Sequence, residues 1–443
     1  MYRLRNLDNI LGEYKELEKQ TIFLADTDSL NDPLESYIKY YWQGDKIIWD
    51  NFFRHYIICL DTTIALYQLA PDKMEDTKND IPVHLMFSEQ SDAYKEIIQR
   101  IFLNFKNDVL MQNLINHLLD NYTKKIYKDN LYDILNLIEP YIQWYIIKER
   151  NNNNIKEEIL YNTKNKLDKN LQNILKENCS LETILKCTTA LRQTSMYFNK
   201  FNLNDFNLKY IQALRKLTSR NIYIACFSEE CSNVALWGYY ANNHTGVCLK
   251  FKDFIKDDGN LYFKLKNPVD NEIRDYKLNK VIYKPNDKEI NFFTNIGVLP
   301  IGVLTNNWYY DENHNSSEYF LQMRGDKGNL DEWRKKYWDN IDNSIYYKLS
   351  DWKNEKEYRI FLVDMFRDFE DKDCSARAFK YNFNDLEAII FGMRTPIKER
   401  IEIINIIRKK CKENNRESFD FYEMKYDDVN FEFKPHKLYI NIK

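Results

Sequence analysis

Two glutamates one residue apart, Glu355-Lys356-Glu357, stand before the apolar run Tyr358–Val363. In an extended segment an i, i+2 pair points to one face of a sheet. Two carboxylates so placed can divide the work of glycosyl transfer, one steadying a cation-like centre and the other moving a proton. A salt-bridged strand entrance, with Lys353, Lys356 or Arg359 neutralising both acids, explains the same spacing. Of the two acids, Glu357 lies nearer the apolar run that would anchor it.

Arg3 and Arg5 alternate onto one face of an opening strand. Their planar forks suit a pyrophosphate or carboxylate, and pairing with an acid of the same domain accounts for them as well. Ser228 opens a strand–loop–helix–strand passage in which Trp237, Tyr240 and His244 follow steps of three and four. On one helix face they could stack a planar ring and orient a phosphate or carry a proton; a packed aromatic core with a hydrogen-bonded histidine fits equally. Gly246 then releases the chain into the next strand. In Asn31-Asp32-Pro33-Leu34-Glu35, Asp32 caps a helix, Pro33 opens it and Glu35 completes a capping box. An anion at that helix start is the functional alternative.

Other motifs are missing from the sequence. It contains no G-x-G-x-x-G, Walker-type loop, H-E-x-x-H, G-x-S-x-G elbow or paired Cys/His zinc spacing, and no acidic spacing singles out a magnesium site. Arg408-Lys409-Lys410 falls near a helix C-terminus, where cations are favoured anyway.

The elements that position these residues are legible from glycine and apolar patterning. After Gly12 and Gly44 no glycine occurs until Gly238, and proline is absent from Tyr141 to Asn267. Helices should therefore dominate residues 36–220, with turn-connected strands beyond. Tyr94–Asp120, Leu131–Glu149 and Leu181–Lys200 carry the three-and-four apolar spacing of amphipathic helices, with a polar loop at Asn151–Asn154. Strands are expected at Thr21–Ala25, Ile222–Phe227, Val247–Phe251, Lys280–Tyr283, Tyr358–Val363, Glu387–Phe391, Asn430–Phe433 and Leu438–Ile442. Thr395 as N-cap and Pro396 at the first position should start a helix running to about Lys412. The expected fold is α+β: a mixed, mainly antiparallel sheet domain interrupted by a large all-helical insertion. Residues 1–35 supply its first strands, 36–220 the insertion, and 221–443 the remainder.

At 443 residues, 44% hydrophobic, the chain can fill at least two cores, and disorder of the whole is excluded. A net charge of -3 gives no global pull toward nucleic acid or anionic membrane. The start Met1-Tyr2-Arg3-Leu4-Arg5 is no secretory h-region, no apolar stretch approaches a membrane span, and the eight cysteines form no C-x-x-C pair. A cytoplasmic protein with reduced thiols and no membrane partner is the expectation.

Four segments together resemble the bacterial family called domain of unknown function 2971. They are Tyr2-Arg3-Leu4-Arg5; Ser29–Glu35 with its Asn-Asp-Pro; Cys226-Phe227-Ser228-Glu229 with Leu236–Ala241 and His244–Cys248; and Trp352–Arg359, followed by Ile389-Ile390-Phe391-Gly392. Tyr358 stands where that family commonly has tryptophan, and Gly238 where serine is usual. The order of a basic first strand, a central aromatic turn and a late glutamate is also similar to the layout of ADP-ribosyltransferase-like enzymes.

That second likeness implies an NAD-consuming enzyme, an ADP-ribosyltransferase or NAD glycohydrolase. In it Glu357, with Glu355, does the chemistry, and Arg3, Arg5, Ser228, Trp237, Tyr240 and His244 bind NAD, with no metal. The acceptor would be a protein, a nucleic acid or water, and a toxic role in anti-phage defence would suit such a reaction. The alternatives are a non-catalytic binding or sensor module whose helical insertion takes a protein or nucleic-acid partner, and a metal-dependent nuclease.

Overall fold

The computed structural model describes residues 1–442 except 33, 35–36, 70–80, 120–123, 152–154, 177–204, 220, 285–287, 325–329, 365–368 and 370–373. The expected helix Leu181–Lys200, most of the Asn151–Asn154 loop, and Pro33 and Glu35 of the capping box lie outside the described residues; Asp32 accepts a hydrogen bond from the Leu34 amide. The fold is α+β with mixed sheets. Its contacts divide it into two compact units, one of Met1–Tyr37, Arg220–Asp287 and Ile341–Lys443, the other of Ile38–Ser219 and Lys288–Asn340. Lys288–Asn340 thus packs with the helical unit.

The first unit is organised by a long sheet. Its strands run in the order Asn279–Lys280, Glu357–Val363, Ile222–Ser228, Tyr2–Arg5, Val247–Phe251, Leu386–Phe391, Asp420–Asp427 and Glu432–Leu438, with Ala25–Asp26 also on Ile222–Ser228. All pairs are antiparallel but one: Leu386–Phe391 and Asp420–Asp427 run parallel, joined by the helix Ile397–Glu413. Alternation splits the sheet's side chains between two environments. On one face Phe227, Leu249, Phe251, Ile389, Phe391 and Phe421 meet that helix and a second sheet of Ile273–Lys277, Leu261–Lys266, Ala378–Tyr381 and Thr21–Phe23. On the other, Leu4, Cys248, Ile390 and Met424 pack under the short helix Val234–Tyr239 in a much smaller cluster.

Thr395 is not the N-cap of the late helix; Pro396 holds that place without a side-chain cap. The Thr395 hydroxyl donates instead to the Gly246 carbonyl, so it joins that helix's entrance to the central sheet.

The second unit is built around the helix Lys46–Leu69, buried on most sides, with Trp49, Phe52, Phe53, Phe293 and Trp308 interlocked as edge and tilted ring pairs. Its long apolar run at 94–120 forms two helices, Asp92–Asn107 and Val109–Leu119. The break is at Asp108, whose carboxylate takes the Leu110 and Met111 amides and so starts the second helix. Helix Lys128–Arg150 contains Pro140, and its Arg150 forks onto buried Asp61 at 2.6 Å twice.

Candidate functional site: a buried acid pair on the smaller sheet face

The two glutamates do meet, although not by simple strand alternation. Glu355 ends the 3-10 turn Ser350–Glu355, Lys356 takes a left-handed conformation (φ 47°), and Glu357 begins the strand. That kink throws Lys356 outward to Glu230 and turns both carboxylates onto one ammonium. Lys348 Nζ lies 2.6 Å from Glu355 Oε2 and 3.1 Å from Glu357 Oε2. Arg359 closes the cluster, its Nε 2.9 Å from Glu357 Oε1 and its Nη2 3.1 Å from Oε2. All four side chains are buried, and Arg359 is wholly so.

The neutralising cations are therefore Lys348 and Arg359, not Lys353 or Lys356. Lys348 escaped the sequence reading. Its signal was a lone cation within Ile345-Tyr346-Tyr347-Lys348-Leu349, placed by the two-residue strand Tyr347–Lys348 beside Ile282–Tyr283.

The two acids differ in electrostatics. Burial raises both, but at Glu357 the charges of Arg359 and Lys348 outweigh it and hold the carboxyl down to about 2. At Glu355 burial wins over Lys348, and the neighbouring Glu357 charge adds to it, so the carboxyl is raised above its ordinary range. Tyr240 donates its hydroxyl to Glu355 Oε1 at 2.8 Å. Tyr283 accepts the Glu357 amide at 2.7 Å.

Ser228 stands across from both Glu357 and Tyr2 in the sheet register. Its hydroxyl donates to the Glu355 carbonyl at 2.7 Å and accepts from the Glu230 amide, which pins the turn carrying the acids. Tyr2, Cys226, Ser228, Tyr240, Glu355 and Glu357 help to line a cavity of about 50 Å³.

The other expected residues do not reach this cavity. Register puts Arg3 opposite Leu249 and Arg5 opposite Val247, on the large core face, because successive strand residues alternate and Tyr2 and Leu4 take the acid side. Arg3 lies over Phe227 and donates to the Phe23 carbonyl at 3.0 Å; burial, with Arg5 nearby, lowers it to about 10. Arg5 forks onto buried Glu16.

Trp237 is fully buried with its indole N–H on the Cys231 carbonyl, so its ring is core. The helix stops at Tyr239, and three successive left-handed residues, Asn242, Asn243 and His244, fold the histidine back over Trp237 with the rings 11° apart. Burial lowers the His244 pKa, with Arg394 contributing. Gly246 serves this turn by lacking a side chain, since a Cβ there would stand 2.2 Å from the Arg5 carbonyl.

Among the described residues no group of three or more His, Cys, Asp or Glu could hold a metal ion, and no helix is long and apolar enough to cross a membrane. No curated protein and no solved structure matches the chain. Residues 236–360, the stretch from Leu236 through Glu355 and Glu357, match the family described as "Protein of unknown function (DUF2971)", in agreement with the resemblance carried by the motifs.

Proposed function

We propose that the acid pair is the reaction centre of an NAD-consuming enzyme of the ADP-ribosyltransferase type. The observation that carries this reading is two buried carboxyls meeting at one ammonium, Glu355 at 2.6 Å and Glu357 at 3.1 Å from Lys348 Nζ, the first displaced upward and the second downward. Such pairs separate the roles of fixed charge and proton carrier. The bond between the ribose C1′ and the nicotinamide nitrogen breaks, and its electron pair leaves with nicotinamide. Glu357 stabilises the cation-like C1′ left behind. An acceptor oxygen then bonds to C1′ and passes its proton to Glu355, which Tyr240 orients. A cavity of about 50 Å³ is far below the several hundred that hold a drug-sized ligand. Only the reacting edge of the dinucleotide enters, and the rest lies outside the mouth.

The test is nicotinamide release from NAD by the purified chain beside Glu357→Gln, Glu355→Gln and Arg5→Lys. Release abolished by the first, slowed by the second and unchanged by the third is expected. A toxic role in anti-phage defence belongs to the same proposal, and unchanged phage plating across a broad panel would count against that part.

One observation favours a second reading. The two acids face two cations in a closed, buried group, which is also how a structural pin is built. No release by any form, with Glu357→Gln strongly destabilised, would assign the cluster to that role and make the chain a binding module.

A further inference from the structure

The helical unit holds a cavity of about 350 Å³, within the range of small-molecule sites. One wall is the strand Glu289–Asn291 with the turn Phe292–Thr294; the other is a single face of the helix Leu330–Tyr346. Trp333, Lys336, Tyr337 and Asn340 follow the i, i+3, i+4, i+7 spacing that puts them on one side of a helix.

This face is built with some care. Trp333 and Tyr337 are stacked, with centroids 6.0 Å and planes 24° apart, and the Trp333 indole N–H is fixed on the Thr294 carbonyl at 2.8 Å. Tyr337 fits only because residue 297 is glycine; a Cβ there would stand 2.3 Å from the ring. An aromatic pair at this spacing is usually core. Here, however, Trp333 is only half-buried, and exposed Lys336 lines the same cavity with no ion-pair partner among the described residues.

The charge around the cavity is uneven. Glu289 on the opposite wall is already held by Lys39 Nζ at 2.6 Å and Lys125 Nζ at 3.1 Å, and these bonds keep its carboxyl down at about 2. On the lining itself Lys288 and Lys336 stand with two acids, Glu289 and Glu332, and the first of these acids is already neutralised by Lys39 and Lys125 from outside it. Asn340 is buried on the same wall, giving its amide N–H to Asn295 at 3.0 Å. Its Oδ1 has no hydrogen-bond partner among the described residues. Buried acceptors are rarely left so.

We propose that this cavity binds a nucleoside monophosphate, its base against the Trp333–Tyr337 shelf and its phosphate at Lys336 and Lys288. A planar ring with an attached anion matches an aromatic shelf flanked by cations. The proposal is independent of the acid pair, which lies in the other unit.

The experiment is calorimetric titration of the full chain with AMP, adenosine and inorganic phosphate. AMP should bind about tenfold more tightly than adenosine, the size of one good phosphate contact. Lys336→Gln, an exposed position that does not endanger folding, should erase that difference and leave adenosine binding as it was. Trp333→Phe should keep most of the AMP affinity and Trp333→Ala lose it, while Glu357→Gln should leave it intact whatever becomes of nicotinamide release. The proposal fails if AMP does not bind at millimolar concentration, if adenosine binds as tightly as AMP, or if Lys336→Gln changes nothing. It also fails if an oligonucleotide binds where AMP does not.

Discussion

The two faces of the long sheet are made from the same strands, and they are filled for different ends. The face under the second sheet carries stacked and edge-packed aromatics such as Phe391 on Phe421 and Phe251 against Tyr381, and its cations Arg3 and Arg5 serve local contacts. The opposite face has a small apolar cluster, and beside it four buried charges on one lysine, one arginine and two glutamates. On the packed face Arg5 is neutralised by Glu16, and Arg3 gives one N–H to the Phe23 carbonyl. The other face spends its burial on a closed polar group, in which Glu357 is displaced downward by its cations and Glu355 upward by burial.

The comparison can be broken most forcefully at Glu357. Glu357→Gln leaves Arg359 and Lys348 short of an anion, so we expect a loss of about 3–5 kcal/mol in urea denaturation together with loss of nicotinamide release. Phe379→Ala on the packed face should cost a comparable 3–5 kcal/mol, or somewhat less if the cavity collapses. Nicotinamide release per folded molecule should nevertheless be unchanged; a parallel loss would show that the faces are not separate in function.

The pH dependence sharpens the contrast within the acid pair. The folded pKa of Glu357 lies below its unfolded value, so its contribution grows as pH rises from about 2 to about 4.3 and is lost on acidification through that window. The folded pKa of Glu355 is raised, so the native state binds the extra proton, and stability should fall as pH climbs above about 4.3 through its folded value. Melting curves should therefore show Glu357→Gln losing the acid-side rise and Glu355→Gln losing the decline above it. Identical profiles for the two variants would mean the pair titrates as one unit.

The smallest effect is expected at Lys356, whose left-handed backbone links the two acids while its side chain points to Glu230. Lys356→Gly relieves the conformational strain and gives up an exposed ion pair, for a net gain below about 1 kcal/mol in thermal melts. A large loss instead would show that the lysine itself shapes the cluster.

Much of the sheet was legible in advance because each strand is a short β-branched or aromatic run between turns. Ile222–Ser228, Val247–Phe251 and Glu357–Val363 differ from the expected ranges by a residue or less at each end. Adjacent strands were not legible, since pairing sets which face a side chain takes. This is why Arg3 and Arg5 were expected beside the glutamates and stand on the opposite face. The importance of Lys348 was hidden for a related reason: it reaches the acids through a parallel contact with Ile282–Tyr283, and no local spacing announces that. His244 was placed on a helix face, and three consecutive left-handed residues could not be read from Asn242-Asn243-His244, although asparagine is the residue type that tolerates them.

The position of Tyr2–Arg5 has a consequence for how the chain comes together during synthesis. Its neighbours in the sheet are Ile222–Ser228 and Val247–Phe251, and the Met1 amine reaches the Phe251 carbonyl across a separation of 250 residues. At the usual pace of translation this strand waits about ten to fifty seconds before either edge can be paired. An unpaired strand is an invitation to aggregate, and charge on it is one of the common deterrents. Arg3 and Arg5 put two charges on the strand for as long as it waits for Val247–Phe251.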